Sequence, residues 1–332
     1  MVVGVSGYYG FRNAGDEAIL EAMVQEISWR GHEALVFSAN PAETSERYGA
    51  RAVSRSNPLV IWKTLREIDL LLSGGGGLLQ DKTSRASLWY YLTVMSLAKR
   101  RGKPVCVFNQ SLGPLSHSGE ERVKKVLQNA RCIVRDRASL LYAERLGIKA
   151  ALGADPALLL QVPPVEREAS MVVLVPRGGT EEANQTLKQA GERLRTDGYE
   201  VVVLGMQPSH DEQALEAFSG FTKELAWDPK RVMYLLAQAG YVLSVRLHGL
   251  ILAAAARTPY AGIAYDPKVA GFCQDSGAPW LDTPGQPAFF VQAVETRSQP
   301  SWNAVENMKD LASKSFDQVL ASPASSAQKA LG

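Results

Sequence analysis

Short apolar runs rich in β-branched residues alternate along the chain with longer stretches in which apolar positions recur every three or four residues. The first kind suits a strand buried on both faces; the second is the signature of an amphipathic helix. Strands are predicted at 2–6, 34–38, 70–73, 104–109, 132–135 and 149–152, with helices over 15–30, 59–66, 84–101, 120–130 and 138–146. That order argues a mostly parallel, doubly wound sheet. The alternation pauses at 161–169, where Pro163-Pro164 and charged residues read as a linker. It resumes with strands at 171–175, 200–204, 241–245 and 260–264, and helices at 181–197, 213–218, 231–238 and 249–256. A last helix over 302–320 is predicted to cross back, and the Ala- and Ser-rich tail after Ser322 to be disordered. The chain is therefore read as α/β, with two doubly wound Rossmann-like domains facing across a cleft. Their bounds are 1–163 and 164–300, followed by helix and tail at 301–332. In such sheets ligands gather beyond the C-terminal ends of the strands.

Composition narrows the functional class. Hydrophobic residues make up 46% and charged residues 21% of 332 positions, as in a soluble protein with a substantial core. A net charge of +2 is too small to imply nucleic acid. The chain opens on a strand rather than a signal peptide, and no run of about 18 apolar residues could span a bilayer. No amphipathic stretch is long or basic enough to read as a membrane anchor. Cys106, Cys132 and Cys273 are well separated and set among apolar neighbours, so buried, reduced thiols are expected. These features point to the cytoplasm.

Candidate chemistry falls where strands end. The segment Ser244-Val245-Arg246-Leu247-His248-Gly249 brings a guanidinium and an imidazole to the start of a helix, a place already favourable for anions. The turn Gly7–Glu17 is rich in glycine and aromatics; Asn13 and Gly15 would turn free N–H groups toward a ligand. Asp16 and Glu17 fit helix capping as well as ligand contact. Neither the dinucleotide fingerprint nor a P-loop is present. Four glycines, Gly74 to Gly77, follow an apolar strand and precede Gln80 and Asp81. Their entropic cost argues for a bend that leaves room for substrate, with Gly75, Gly76 and Gln80 at its edge. Gln110, in a polar turn at another strand end, joins this group. Arg135, beside Asp136, is a ligand candidate or a surface ion pair. Lys268 is a further candidate cation or a solvated lysine. The histidines are scattered and the cysteines unclustered, so no metal site is expected.

Taken in order, Ser6–Phe11, Asn13–Ala18, Ser73–Asp81, Gln110–Pro114, Val134–Asp136, Asp155–Ala157, Ser244–Gly249 and Tyr265–Val269 resemble the polysaccharide pyruvyl transferase family, its CsaB-like cell-wall members in particular. The stretch Val175–Gly179 departs from the family wording, which withholds a ligand role from Arg177. The resemblance implies a GT-B-like fold and transfer of pyruvate from phosphoenolpyruvate to a sugar, as a cyclic ketal. It implies N-acetylmannosamine of a secondary cell-wall polymer, or its lipid-linked precursor, as acceptor. The product glycan would anchor S-layer proteins. It carries Arg246, Leu247, His248, Arg135 and Lys268 over as donor-site residues. Phosphoenolpyruvate is then a co-substrate, and no cofactor is required. His248 is read as the acid that protonates the methylene carbon, with Arg246 beside it. A lipid-linked acceptor would bring the protein to the inner face of the membrane; oligomeric state is left open. Two other readings keep the same fold: a glycosyltransferase with a nucleotide-sugar donor, and a non-catalytic glycan-binding relative.

Overall fold

The computed structural model describes residues 1–82, 84–282 and 285–321. The first elements are β1 (Val2–Ser6), α1 (Ala14–Trp29), β2 (Glu33–Ser38), α2 (Pro41–Tyr48), β3 (Arg51–Ser54), α3 (Pro58–Glu67) and β4 (Leu70–Gly74). Next come α4 (Arg85–Arg100), β5 (Val105–Gln110), α5 (His117–Leu127), β6 (Arg131–Val134), α6 (Arg137–Arg145) and β7 (Ala151–Leu152). A second series holds β8 (Glu168–Val175), α7 (Glu181–Thr196), β9 (Glu200–Gly205), α8 (Pro208–Glu216), β10 (Thr222–Leu225), α9 (Pro229–Gln238) and β11 (Ala239–Ser244). It ends with α10 (Leu247–Ala255), β12 (Tyr260–Ile263), α11 (Pro267–Ser276), β13 (Trp280–Leu281), α12 (Pro287–Glu295) and α13 (Trp302–Leu320). The tail beyond residue 321 lies outside the described residues.

One parallel sheet has the order β3-β2-β1-β4-β5-β6-β7 and the other β10-β9-β8-β11-β12-β13. Each is doubly wound. Strand order reverses between β1 and β4 in the first sheet and between β8 and β11 in the second. β4 and β5 are buried throughout and β1 everywhere but Val2, which is why they read as apolar runs. Helix starts are set by local chemistry: Asn57, Ser84, Ser116, Asp136, Asp228 and Asp266 each accept a backbone N–H from the first turn.

The chain divides into two compact units, each with its own sheet. The first comprises Met1–Phe11, Ile19–Pro156 and Met308 onward; the second comprises Arg12–Ala18 and Ala157–Asn307. The α/β architecture of two Rossmann-like units, legible in the sequence, is thus met. The end of α13 belongs to the first unit for clear reasons. Phe316 is fully buried with its ring 4.6 Å from that of Phe108, and Asp317 accepts a 2.9 Å hydrogen bond from Arg30 Nε.

Candidate active site

Of the predicted donor residues, the second unit holds Arg246, Leu247 and His248 at the point where its strand order reverses, and Lys268 in the helix after β12; Arg135 lies in the first unit. Ser244, ending β11, pairs with Val175, ending β8. Beyond Ser244 the chain folds straight into α10. Ser244 Oγ accepts the Arg246 N–H at 3.0 Å and donates to Arg246 O at 2.7 Å. A Cβ on Gly249 would lie 2.3 Å from that hydroxyl, so the tight turn depends on glycine.

Arg246 is held from behind. Its Nη2 donates to Asp211 Oδ1, and the Asp211 side chain is fully buried while that of Arg246 is 10% exposed. Asp211 also accepts from Gly178 N at 3.1 Å, and from Met206 N and Gln207 N at 2.9 Å each. One carboxylate thus ties the loops after β8 and β9 to the arginine after β11. The Arg246 Nε is buried and has no hydrogen-bond partner among the described residues. A buried guanidinium with an unspent donor is costly unless a ligand meets it.

The start of α1 presses against His248. A Cβ on Gly15 would fall 2.3 Å from His248 Nδ1 and 2.4 Å from its Cγ. Asn13 shapes this approach: its Oδ1 accepts Gly15 N at 3.1 Å, and its Nδ2 donates to Gln207 Oε1 at 3.3 Å. Ala14 N reaches Met206 O at 2.9 Å. Asp16 is half-buried and Glu17 buried within the first turn, where both complement the helix dipole. Leu247 and His248 are themselves half-buried. Lys268 sits in the first turn of α11, where Asp266 Oδ1 accepts its N–H at 2.9 Å. A lysine at a helix start opposes the dipole, so helix stability does not explain it. Arg177 stacks over the Tyr265 ring at 4.9 Å.

The remaining predicted residues belong to the first unit, around its own reversal point, where Ser6 pairs with Ser73. Gly75 and Gly76 are buried, with φ of +75° and +70°. A Cβ on Gly75 would stand 2.2 Å from Ile19 Cγ2, and one on Gly74 2.6 Å from Met23 Cε. Close packing against α1, together with a positive φ, therefore requires glycine at position 75, a reason that the entropy argument alone did not supply. Gln110 is wholly buried, and its Nε2 donates to Ser73 Oγ at 2.9 Å, bracing one strand end against another. Gln80 is half-buried at the rim of this loop. Its neighbour Asp81 accepts from Ser116 N at 2.8 Å and from the Ser116 hydroxyl. Burial pushes the Asp81 carboxyl up, but the Ser116 bonds outweigh it and hold the group below the usual range.

Arg135 does lie beside Asp136, its Nε 3.9 Å from Asp136 Oδ2, but as a buried group rather than a surface pair. Its side chain is buried, with Nη1 2.7 Å from Asp155 Oδ2 and Nε donating to Ser111 Oγ at 2.8 Å. Asp136 also caps α6, its Oδ1 accepting Ser139 N at 2.7 Å. The sequence had no means of pairing Arg135 with a carboxylate twenty residues on.

A family model described as polysaccharide pyruvyl transferase matches residues 13–267, well over half of the chain. The chain belongs to the polysaccharide pyruvyl transferase family. The matched span contains Asn13, Arg135, Asp211, Arg246 and His248. No curated protein matches. Among solved structures the chain resembles a UDP-N-acetylglucosamine 2-epimerase from Rickettsia bellii, with TM-score 0.61 and 14% identity over 96% of this chain and 95% of that one. It also resembles the UDP-GlcNAc 2-epimerase from Neisseria meningitidis bound to UDP-GlcNAc (TM-score 0.59, 11% identity, 96% and 99% covered). A glycosyltransferase from Rickettsia africae ESF-5 aligns with TM-score 0.57 and 12% identity over 96% and 93%. At such identities the likeness speaks for the fold alone.

Sequence reasoning missed Asp211, which lies in α8 among ordinary polar residues; only the folded loops reveal its four donors. Among the described residues no group of three or more His, Cys, Asp or Glu is arranged to hold a metal ion. The three cysteines are free and buried, as expected. Burial pushes the Cys132 and Cys273 thiols up to about 12.

Proposed function

We propose that this member of the family transfers the pyruvyl group of phosphoenolpyruvate to a glycan, forming a cyclic ketal and releasing phosphate. The single observation that carries the reading is the Arg246–His248 pair at the reversal point of the second sheet. One residue of it is steadied by a buried carboxylate and the other by a glycine contact.

The chemistry asks for these groups. Phosphoenolpyruvate brings a carboxylate and a phosphate, and a guanidinium with an uncommitted Nε–H suits either. Asp211 offsets part of the charge of Arg246, so a second cation is needed, and Lys268 is assigned that part. His248 delivers a proton to the methylene carbon, which becomes the methyl of the product. The central carbon then carries oxocarbenium character. One sugar hydroxyl adds there and loses its proton; the C–O bond to phosphate breaks; the second hydroxyl adds and closes the ring. Two protons leave the sugar hydroxyls; one restores the acid that protonated the methylene carbon, and the other leaves on the released hydrogen phosphate.

In the first unit, Arg135 is compensated by Asp155, and this reading assigns it no donor contact. Acceptor contacts are assigned to the rim around Gln80, while Gly75, Gly76 and Gln110 shape the loop from within. N-acetylmannosamine of a secondary cell-wall polymer is the acceptor we favour, with Asp16 or Glu17 as the base.

The test is phosphate release from phosphoenolpyruvate with and without a panel of N-acetylhexosamine acceptors, with parallel arms supplied with nucleotide sugars. Acceptor-dependent release, with a product carrying the added pyruvyl ketal, is the expected result. Consumption of a nucleotide sugar instead would assign the site to glycosyl transfer and end this reading.

A further inference from the structure

The first unit carries a surface that the reaction does not use. Along α3, Leu59, Trp62, Lys63 and Arg66 follow the i, i+3, i+4, i+7 spacing of one helix face, and all four are exposed. Ile61, Thr64 and Leu65 fill the opposite, buried face. Leu59 is 72% exposed, Trp62 38%, and Trp89 on the neighbouring α4 51%. A lone exposed leucine needs no explanation. Here, however, the apolar groups stand in a field of one sign.

Residues 58–66 hold two cations and no carboxylate, and residues 99–103 hold four and none, although Lys99 turns away to Val126 O and Gln128 O. The folded chain brings the two stretches together. The Arg101 guanidinium lies over the Trp62 ring at 3.3 Å from its centroid, and Lys103 Nζ donates to Arg66 O at 3.1 Å. Arg101 Nε and Nη2 are buried there and have no hydrogen-bond partner among the described residues, so this guanidinium braces the Trp62 ring rather than facing outward. Glu67, at the end of α3, is already engaged by Arg51 at 2.7 Å. The exposed cations of this face, Lys63, Arg66 and Arg100, therefore make no ion pair among the described residues.

We propose that the outer face of α3, with the C-terminal end of α4, docks on an anionic lipid bilayer. Its cations would lie against headgroup phosphates, while Leu59 and the Trp62 indole enter the interfacial layer. Charge complementarity selects this occupant: a polybasic patch is drawn to an anionic leaflet, and tryptophan favours the interfacial depth. Neither stretch alone is long or basic enough to announce itself as an amphipathic anchor. The surface exists only once two helices from different parts of the chain are packed side by side. Vesicle binding needs no turnover, so this inference stands or falls apart from the pyruvyl-transfer reading.

The test is co-sedimentation of the full chain with vesicles of phosphatidylcholine containing phosphatidylglycerol, and with vesicles of phosphatidylcholine alone. Retention on the anionic vesicles, weakening as salt rises, is expected. Lys63→Glu with Arg66→Glu should reduce the partition coefficient about tenfold or more, since charge reversal replaces attraction by repulsion. Leu59→Ser with Trp62→Ser should reduce it while the circular dichroism stays unchanged. Equal behaviour on neutral vesicles, or wild-type retention by either double variant, would overturn the proposal. So would a concentration-dependent dimer that Trp62→Ser abolishes in protein that binds no vesicle, because the face would then belong to a second copy.

Discussion

At the scale of single residues, the site depends on two contacts that can be broken separately. Gly15→Ala places a methyl group where the His248 ring stands. A displacement of about 1 Å there should lower turnover on the order of 100-fold while the thermal midpoint changes little; comparison of kcat with the melting curve checks this. Asp211→Asn acts differently. An amide offers one acceptor oxygen where the carboxylate meets four donors, and it leaves the Arg246 charge uncompensated. Breaking such a buried pair should cost about 3 kcal/mol, read by chemical denaturation, and should weaken phosphoenolpyruvate binding as well. The buried thiols give a third outcome. With Cys132 and Cys273 pushed up to about 12 by burial, the native protein should resist alkylation at mildly alkaline pH. The denatured chain should take up three equivalents, as counted by mass spectrometry. Ready labelling of the folded protein would contradict the burial.

At the scale of elements, Asp81 supports the start of α5 through Ser116. Its carboxyl is held below the ordinary value in the folded protein, so its contribution is present above the unfolded value and is lost as pH falls through the folded one. Asp81→Asn should therefore lower the melting temperature near neutrality, and the difference should shrink in acid. How far elements can be read from sequence follows the same physics. The central strands and the long helices, α13 among them, carried their pattern openly because burial demands apolar runs or a clear stripe. The edge strands β3 and β10 did not. In β10 the sequence Thr-Lys-Glu-Leu is largely exposed, and β3 is only partly buried, so neither offers an apolar run to detect. Helix α2 has a single buried residue, Thr44, and is announced only by its Asn40 cap and Pro41. Helix α11 hides behind Asp266-Pro267, which reads as a turn until the following residues are seen to be packed.

At the scale of the molecule, chain order and unit membership diverge. Arg12–Ala18 belongs with the second unit, and the stretch from Met308 with the first. A truncation before Met308 should therefore damage the first unit. It removes Phe316 from against Phe108, Ser315 from Asn109 and Asp317 from Arg30. Loss of one large buried aromatic alone costs about 3–5 kcal/mol, so the shortened chain should unfold at markedly lower denaturant concentration. The strand-end motifs of the site were legible because glycines, an arginine and a histidine stand out against apolar runs. Their bracing was not: Asp211 and Asp155 look like any surface acid until the loops that surround them are folded.

The most direct measurement is turnover of phosphoenolpyruvate by wild type and by His248→Ala, paired with calorimetric titration of phosphoenolpyruvate into each. If His248 supplies the proton, the variant should still bind the donor while turnover falls by about two to four orders of magnitude. Near-normal turnover with intact donor binding would contradict the account at its centre.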